Sequence, residues 1–149
     1  MYYFLRFKVL PFFFLFMFSD ILLAGDPSGL WQKIDQETGE SIAIIKIWTE
    51  GGRLYGKVEK LFRIPGKDPN PVCSRCEGSR QNRPIVGMTI IWGLQDNGNQ
   101  WEDGKILITE TGNILNCKLQ LIADGKQLEV KNYSFFSFFG SSQTWLRYN

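Results

Sequence analysis

The sequence predicts an all-β fold, namely an eight-stranded antiparallel up-and-down barrel formed by a single domain. From Gly29 onward, short apolar or alternating segments are separated by turns rich in glycine, asparagine and aspartate. No segment in this region has the sustained periodicity of an amphipathic helix. Eight strands in about 120 residues suit a closed barrel, because closure removes the exposed edges that an open sheet would leave.

The first 25 residues differ from the rest of the chain. Arg6 and Lys8 precede an apolar run, and small residues close the segment, which is the order of a secretory signal peptide. The run is shorter than the roughly 20 apolar residues of a membrane span. We therefore predict a cleaved signal peptide, residues 1–25, followed by one exported domain, residues 26–149. An uncleaved N-terminal anchor is the alternative.

The strands are predicted in the following order. The first runs from Leu30 to Ile34. The next two, SIAIIKIWTE and RLYGKVEKLF, are joined by Gly51-Gly52, which indicates a hairpin with a two-residue turn. After a long irregular segment, five further strands are predicted at GMTIIWGL, QWEDGKILI, ILNCKLQLIA, QLEVKNYSF and SQTWLRY.

Alternation of apolar and polar residues predicts one buried face on several strands. In the sixth strand, Cys117 and three leucines point one way, while the asparagine, lysine and glutamine between them point the other. In the third strand, Leu54, Gly56, Val58 and Phe62 form a similar stripe. Cys117 is predicted to be a small buried hydrophobic residue. Such a barrel either holds one small ligand or is filled by its own side chains.

Composition excludes several classes of function. The chain has no histidine, so histidine-based catalysis, histidine-ligated metal and haem attached through Cys-x-x-Cys-His are excluded. We predict no catalytic residues, no metal and no cofactor; an enzyme would need carboxylates such as Glu102 or Asp103 with Lys57 or Tyr55. With 17 basic and 15 acidic side chains, there is no electrostatic case for binding nucleic acid.

The two ends of the predicted barrel carry a matching tryptophan and arginine. The motif GLW, ending at Trp31, opens the first strand, and TWLR, ending at Arg147, lies in the last strand. First and last strands are neighbours in a closed barrel, and a guanidinium over an indole ring is a favourable pair. We predict that Trp31 and Arg147 form a structural pair. This arrangement is similar to the pair that seals the closed end of lipocalins.

A long segment between the third and fourth strands, Arg63 to Ile85, has no periodicity but contains four prolines, which predicts an ordered flap. It holds Cys73 and Cys76. The pair is not a haem attachment site, because the residue after Cys76 is Glu77 and the haem motif requires histidine there. In an oxidising compartment the default prediction is a Cys73–Cys76 disulfide. A metal site, redox activity and free thiols are the alternatives.

Two groups of side chains are candidates for contacting a ligand. One comprises cations of the flap, and the other comprises aromatic residues, including a phenylalanine cluster in NYSFFSFFG that could line a mouth or touch a membrane. The candidates are Arg75, Arg80, Arg83, Trp92, Phe135, Phe136 and Phe138. We favour a binding protein for a small apolar molecule. The alternatives are an envelope structural or interaction protein that contacts a protein or membrane surface, and, with less support, a histidine-independent enzyme.

The chain also resembles a family of exported bacterial proteins, domain of unknown function 2147. The resemblance spans Gly29 to Arg147 and rests on GLW, RLYGKVEKLF, DPNPVCSRCEGSRQNRPIVGM, IIWGL, DGKIL, CKLQL and QTWLR. The block with the paired cysteines is the most specific of these. The resemblance implies a lipocalin-like (calycin) barrel in a periplasmic or secreted bacterial protein, and it implies no particular reaction or substrate.

Overall fold

The computed structural model describes residues 25–135 and 140–149. Eight antiparallel strands form a closed barrel in sequence order, with β8 paired to β1, which confirms the predicted fold class. The strands are β1 Gly29–Ile34, β2 Ser41–Glu50, β3 Arg53–Leu61, β4 Thr89–Asp96, β5 Trp101–Ile108, β6 Asn113–Ile122, β7 Gln127–Tyr133 and β8 Ser141–Tyr148.

The predicted signal peptide falls almost entirely outside the described residues, since only Gly25 of that segment is described. Within the described ranges, no helix is long and apolar enough to cross a membrane.

The up-and-down topology gives the barrel two different ends. The loop end carries the β1–β2, β3–β4, β5–β6 and β7–β8 connections, whereas the closed end carries the other turns together with the start of β1 and the end of β8. The turns at the closed end are short. In the β2–β3 turn, Gly51 and Gly52 have φ angles of 57° and 72°, the left-handed pair that a two-residue hairpin turn requires.

Inward-facing side chains pack the interior of the barrel. Trp31 and Trp145 are almost completely buried, and aliphatic side chains from the other strands surround them. Those with no more than 1% exposure include Ile45, Ile47, Leu54, Ile91, Leu94, Leu119, Leu128 and Val130. The interior of this barrel therefore serves as its hydrophobic core.

Arg147 and Trp31 meet at the closed end. The guanidinium carbon of Arg147 lies 4.3 Å from the centre of the Trp31 ring system. The same guanidinium donates hydrogen bonds to the carbonyl oxygens of Gly125, Ser28 and Asp26, at 2.9, 3.1 and 3.2 Å. We call this arrangement of Arg147, Trp31 and the three carbonyl groups the seal. It joins the start of β1, the β6–β7 turn and β8.

Gly29 permits this seal. Its φ angle is 128°, a conformation that residues with a side chain rarely adopt, and a β-carbon at this position would lie 3.2 Å from Nη1 of Arg147. The Trp31 indole N–H donates to the carbonyl oxygen of Pro27 at 2.8 Å, which fixes the ring beneath the guanidinium. The glycine of the GLW motif is thus explained by the space and backbone angle that the arginine needs.

One predicted inward residue points outward. The alternation in the third strand predicts that Phe62 is buried, but this residue lies just beyond β3 and is 36% exposed. A β-bulge causes the difference: Ile45 pairs with Val58, whereas Ile44 pairs with Lys60, so one extra residue lies between them on β3. Since successive strand residues alternate faces, the extra residue turns Leu61 inward and Phe62 outward.

The first prediction concerns the seal. We expect Arg147→Ala to lower the free energy of unfolding by about 2 kcal/mol, because it removes the cation–π contact and the hydrogen bonds to three carbonyl groups. Arg147→Lys should lower the free energy of unfolding by a smaller amount, because an ammonium keeps the charge but lacks the planar set of N–H donors of a guanidinium. Urea unfolding followed by tryptophan fluorescence measures both. Arg83→Ala, which removes an exposed side chain without a polar contact to a described residue, is the control; an equal loss there would contradict the assignment.

The second prediction concerns Cys117, which is fully buried and unpaired. Burial raises the pKa of this thiol from 9.0 to about 12. At pH 8 we therefore expect no reaction of the folded protein with a thiol reagent, and one thiol per chain after denaturation without reductant. The raised pKa also means that Cys117 contributes stability below pH 9 that is lost as the pH rises toward 12. Rapid labelling of the folded protein would contradict the burial of this residue.

Candidate functional site

The connection between β3 and β4, residues 62–88, is here called the cysteine loop. Cys73 and Cys76 form the predicted disulfide, and both are buried. The Cys73 N–H donates to the carbonyl oxygen of Arg83 at 2.8 Å, and the Asn82 N–H donates to that of Cys73 at 2.9 Å. A short 3₁₀ helix, Gly78–Arg80, lies between these bonds. The second half of the loop is therefore an ordered unit, as predicted for the flap.

This half of the loop packs on the outside of the barrel. Ile91 and Ile106 point inward as a cross-strand pair, so their neighbours Ile90 and Leu107 point outward, yet both neighbours are buried in the same cluster as the two cysteines. The β5–β6 turn is equally close, because a β-carbon on Gly112 would lie 1.9 Å from the Arg75 carbonyl oxygen. The loop is thus fixed against β4, β5 and the turn that follows β5.

Two of the predicted flap cations anchor this loop. The Arg80 guanidinium carbon lies 4.5 Å from the centre of the Trp92 ring system, on the outer face of β4. Arg75 Nη1 donates to the carbonyl oxygen of Glu110 at 3.1 Å. Arg83 is exposed and enters the loop's hydrogen bonding through its backbone. Arg75, Arg80 and Trp92 therefore hold the loop against the barrel, a structural role that the sequence did not predict.

The phenylalanine candidates lie elsewhere. Phe135 follows β7, on a different connection from the cysteine loop, and is 89% exposed. Phe136 and Phe138 lie outside the described residues. The predicted ligand-contacting residues therefore do not converge on one described site.

A groove on the outer face of β6, β7 and β8, near the loop end, is the best-formed candidate site. Its volume is about 460 Å³, and we call it the lysine groove. It is lined by Asn116, Lys118, Lys131, Tyr133, Ser134, Phe135, Gly140, Ser141 and Ser142. Two aromatic side chains supply apolar walls, while ammonium, amide and hydroxyl groups supply polar contacts.

The two lysines of the groove are directly opposite each other on adjacent strands. Lys118 pairs with Lys131 in the β6–β7 register, and both side chains are on the outer face. Like charges in this position repel each other and destabilise a sheet. Lys131 is balanced by Glu129, with its Nζ 3.1 Å from Oε2. Lys118 lies over the Tyr133 ring instead, with Nζ 5.4 Å from the ring centre, and it forms no ion pair with a described residue.

Tyr133 forms the floor beside these charges. Partial burial raises the pKa of its phenol above the ordinary value of 10.0, and the negative charge of Asp103 adds to the effect. The phenol is therefore neutral at physiological pH, so it can donate a hydrogen bond as well as present an apolar ring. Of the residues that line this groove, sequence reasoning named Phe135 alone as a ligand candidate. The alternation on β6 and β7 places Lys118, Lys131 and Tyr133 on one face once the register is known.

Two further cavities open at the barrel ends. One of about 390 Å³ lies at the loop end between β2, β3 and the cysteine loop, and it is lined by Arg63, Arg75 and Glu110 among others. Another of about 500 Å³ lies at the closed end and is lined by Asp26, Asp96 and Arg53 among others. In both, charges of opposite sign come together. Within residues 25–135 and 140–149, no three cysteine or acidic side chains are placed to hold a metal ion.

The carboxylates considered for catalysis are not assembled with basic partners. Glu102 is on β5, whereas Lys57 and Tyr55 are on β3, and β4 lies between the two strands. Lys57 Nζ is 3.6 Å from Glu59, and Glu102 accepts a hydrogen bond from the Gln100 amide at 2.7 Å. The Tyr55 ring stacks on Trp48 with ring centres 5.7 Å apart. Each group is therefore engaged by a local neighbour.

Comparisons with known proteins agree with the architecture. Helicobacter pylori protein HP1028, described as belonging to the lipocalin family, has a similar structure with a TM-score of 0.69. The two share 17% sequence identity, and the match covers 83% of this chain and 84% of that one, so the likeness concerns the fold. No curated protein matches the sequence significantly. The profile of a bacterial family, described as an uncharacterized protein conserved in bacteria, matches residues 29–147, which is most of the chain. The protein therefore belongs to the DUF2147 family.

Proposed function

We propose that this chain is a binding protein for a small, largely apolar molecule that carries an acidic group, and that the lysine groove holds it. The observation that carries the proposal is the Lys118–Lys131 cross-strand pair beside Tyr133 in a groove of about 460 Å³. Sites for small molecules have volumes of roughly 300–1,000 Å³ and combine apolar walls with a few polar groups. The groove has both properties.

The charge arrangement favours an acidic ligand. Lys131 is already paired with Glu129, so the unbalanced charge of the pair is that of Lys118. A ligand carboxylate would give Lys118 an ion pair in place of its present contact with an aromatic ring alone. Both lysines are partly exposed, so each ion pair contributes about 1 kcal/mol or less. Most of the affinity would come from apolar area buried against Tyr133 and Phe135, at about 25 cal/mol per Å². The acidic group would therefore set orientation and selectivity.

The packed interior also favours a surface groove over the centre of the barrel. Trp31 and Trp145, with the aliphatic core around them, occupy the space that a central ligand would need. We propose a binding role rather than catalysis, since the acidic and basic groups considered for catalysis are separated and locally engaged. We also propose that the protein acts outside the cytoplasm, which the Cys73–Cys76 disulfide supports because such bonds form in oxidising compartments.

The test compares two probes that share an apolar chain, dodecanoate and dodecanol, by isothermal titration calorimetry. We expect dodecanoate to bind more tightly, and Lys118→Gln to weaken its binding about 3- to 5-fold, which corresponds to about 0.7–1 kcal/mol. Dodecanol binding should change little in this variant. Lys46→Gln, which removes an exposed lysine from β2, is the matched control. Absence of dodecanoate binding, or equal affinity in Lys118→Gln and the unaltered protein, would refute the proposal.

A further inference from the structure

We infer that the tip of the cysteine loop, residues 62–68, is a membrane-docking element that inserts an apolar side chain into the surface of a bilayer containing acidic lipids. This surface is separate from the lysine groove, and the inference stands independently of the small-molecule binding proposed above. It rests on three observations: the exposure of apolar side chains, the fixed conformation that exposes them, and the cations beside them.

The first observation is where apolar surface is exposed. Among the described residues, six large apolar side chains are exposed, and five of these lie at the loop end: Phe62, Ile64, Val72, Ile114 and Phe135. The sixth, Tyr148, lies at the closed end. Ile64 projects at the tip with 72% exposure, and Phe62, two residues before it, is 36% exposed. Removing such side chains from water is favourable, so a second surface that covered them would gain free energy.

The second observation is that hydrogen bonds fix the tip in this conformation. The Lys67 N–H donates to the carbonyl oxygen of Ile64 at 3.1 Å, which closes a turn through Pro65 and Gly66. The Arg63 Nε–H donates to the carbonyl oxygen of Asp68 at 3.1 Å and closes the base of the turn. The same loop buries both of its cysteines against the barrel. Ile64 is thus held away from a core that other residues of the loop reach.

The third observation is the charge around the tip. Lys60, Arg63 and Lys67 are exposed, and none of them forms an ion pair with a described residue. Asp68 is the one acidic residue of the tip, so three positive charges and one negative charge leave a net charge of +2. The Lys60 ammonium lies 4.8 Å from the centre of the exposed Phe62 ring, so cationic and apolar groups share one surface. Cations that flank an apolar side chain are the combination by which peripheral proteins bind membranes, because acidic headgroups attract the cations while the apolar group enters the acyl boundary.

The size of the surface favours a membrane over a protein partner. A stable protein interface buries about 800 Å² on each side and presents a contiguous patch. A turn that projects one aliphatic side chain, with the partly exposed Phe62 two residues away, offers much less. A bilayer requires no matching shape, since its headgroup region accommodates a projecting side chain of any form. The tip therefore fits a lipid surface better than a folded partner.

The test is co-sedimentation of the exported chain with vesicles of phosphatidylcholine containing about 30% phosphatidylglycerol, and with vesicles of phosphatidylcholine alone. We expect binding to the acidic vesicles at low salt, and its loss at about 0.5 M salt, where charges are screened within a few ångströms. Ile64→Ser and the double variant Lys60→Gln/Lys67→Gln should each bind at least about 5-fold more weakly. All three positions are exposed, so the variants should fold, which circular dichroism checks.

Matched controls at the closed end make the result specific to the tip. Tyr148→Ser removes exposed apolar surface there, and Lys126→Gln removes a cation; both should bind acidic vesicles like the unaltered protein. Lys118→Gln should also retain vesicle binding, which separates this surface from the lysine groove. No binding to acidic vesicles, or equal binding by Ile64→Ser, would overturn the inference.

A second measurement reports insertion directly. In an Ile64→Trp variant, lipids brominated near the headgroup should quench the added indole, because quenching requires contact between the ring and the bromine atoms. The native tryptophans provide the baseline in the unaltered protein. Quenching that exceeds this baseline supports insertion of the tip. Quenching at the baseline would overturn it, since the protein would then only adsorb to the surface.

Discussion

Closure of β8 onto β1 is the constraint on which the rest of this structure depends. The two strands share three cross-strand residue pairs, whereas β2 and β3 share eight, so this seam has one of the shorter hydrogen-bonded ladders of the barrel. Arg147 reinforces it from within β8 by contacting the Trp31 ring and three carbonyl groups. Without the seam, β1 and β8 would be edge strands with unpaired backbone groups. Closure thus protects a sheet that would otherwise expose two such edges.

Closure also decides where a ligand can bind. The barrel is filled by its own aromatic and aliphatic side chains, so apolar surface for a ligand must come from the outer face or from the loops. The outer face supplies it at Tyr133, beside two lysines that the antiparallel register places opposite each other. The loop end supplies it at Ile64, where a hydrogen-bonded turn holds an aliphatic side chain in water. The rigid barrel therefore acts as a scaffold for surfaces outside it.

Sequence reasoning located most of the fold because the signals for strands and turns are local. Period-two alternation and glycine-containing turns identified all eight strands, and the prediction of an oxidising compartment led to the prediction of the Cys73–Cys76 disulfide, which the structure contains. It failed where a single extra residue altered the register. The bulge on β3 turns Phe62 outward, and no residue type in that strand predicts a bulge. The lysines of the candidate site were missed for a related reason, since Lys118 and Lys131, 13 positions apart in the sequence, become neighbours only when β6 and β7 are aligned in the correct register.

The position of the seal also governs when the barrel can be completed. Arg147 donates a hydrogen bond to the Ser28 carbonyl group across 119 residues of chain, so the contact that closes the sheet joins the start of the first strand to the last strand. Contacts of such long sequence separation form late, because the intervening chain must be ordered before they are gained. A nascent chain that lacks β8 therefore has an open sheet with two unpaired edges. Closure of the barrel has to follow the synthesis of β8, so the hairpins that precede it must persist without the seal.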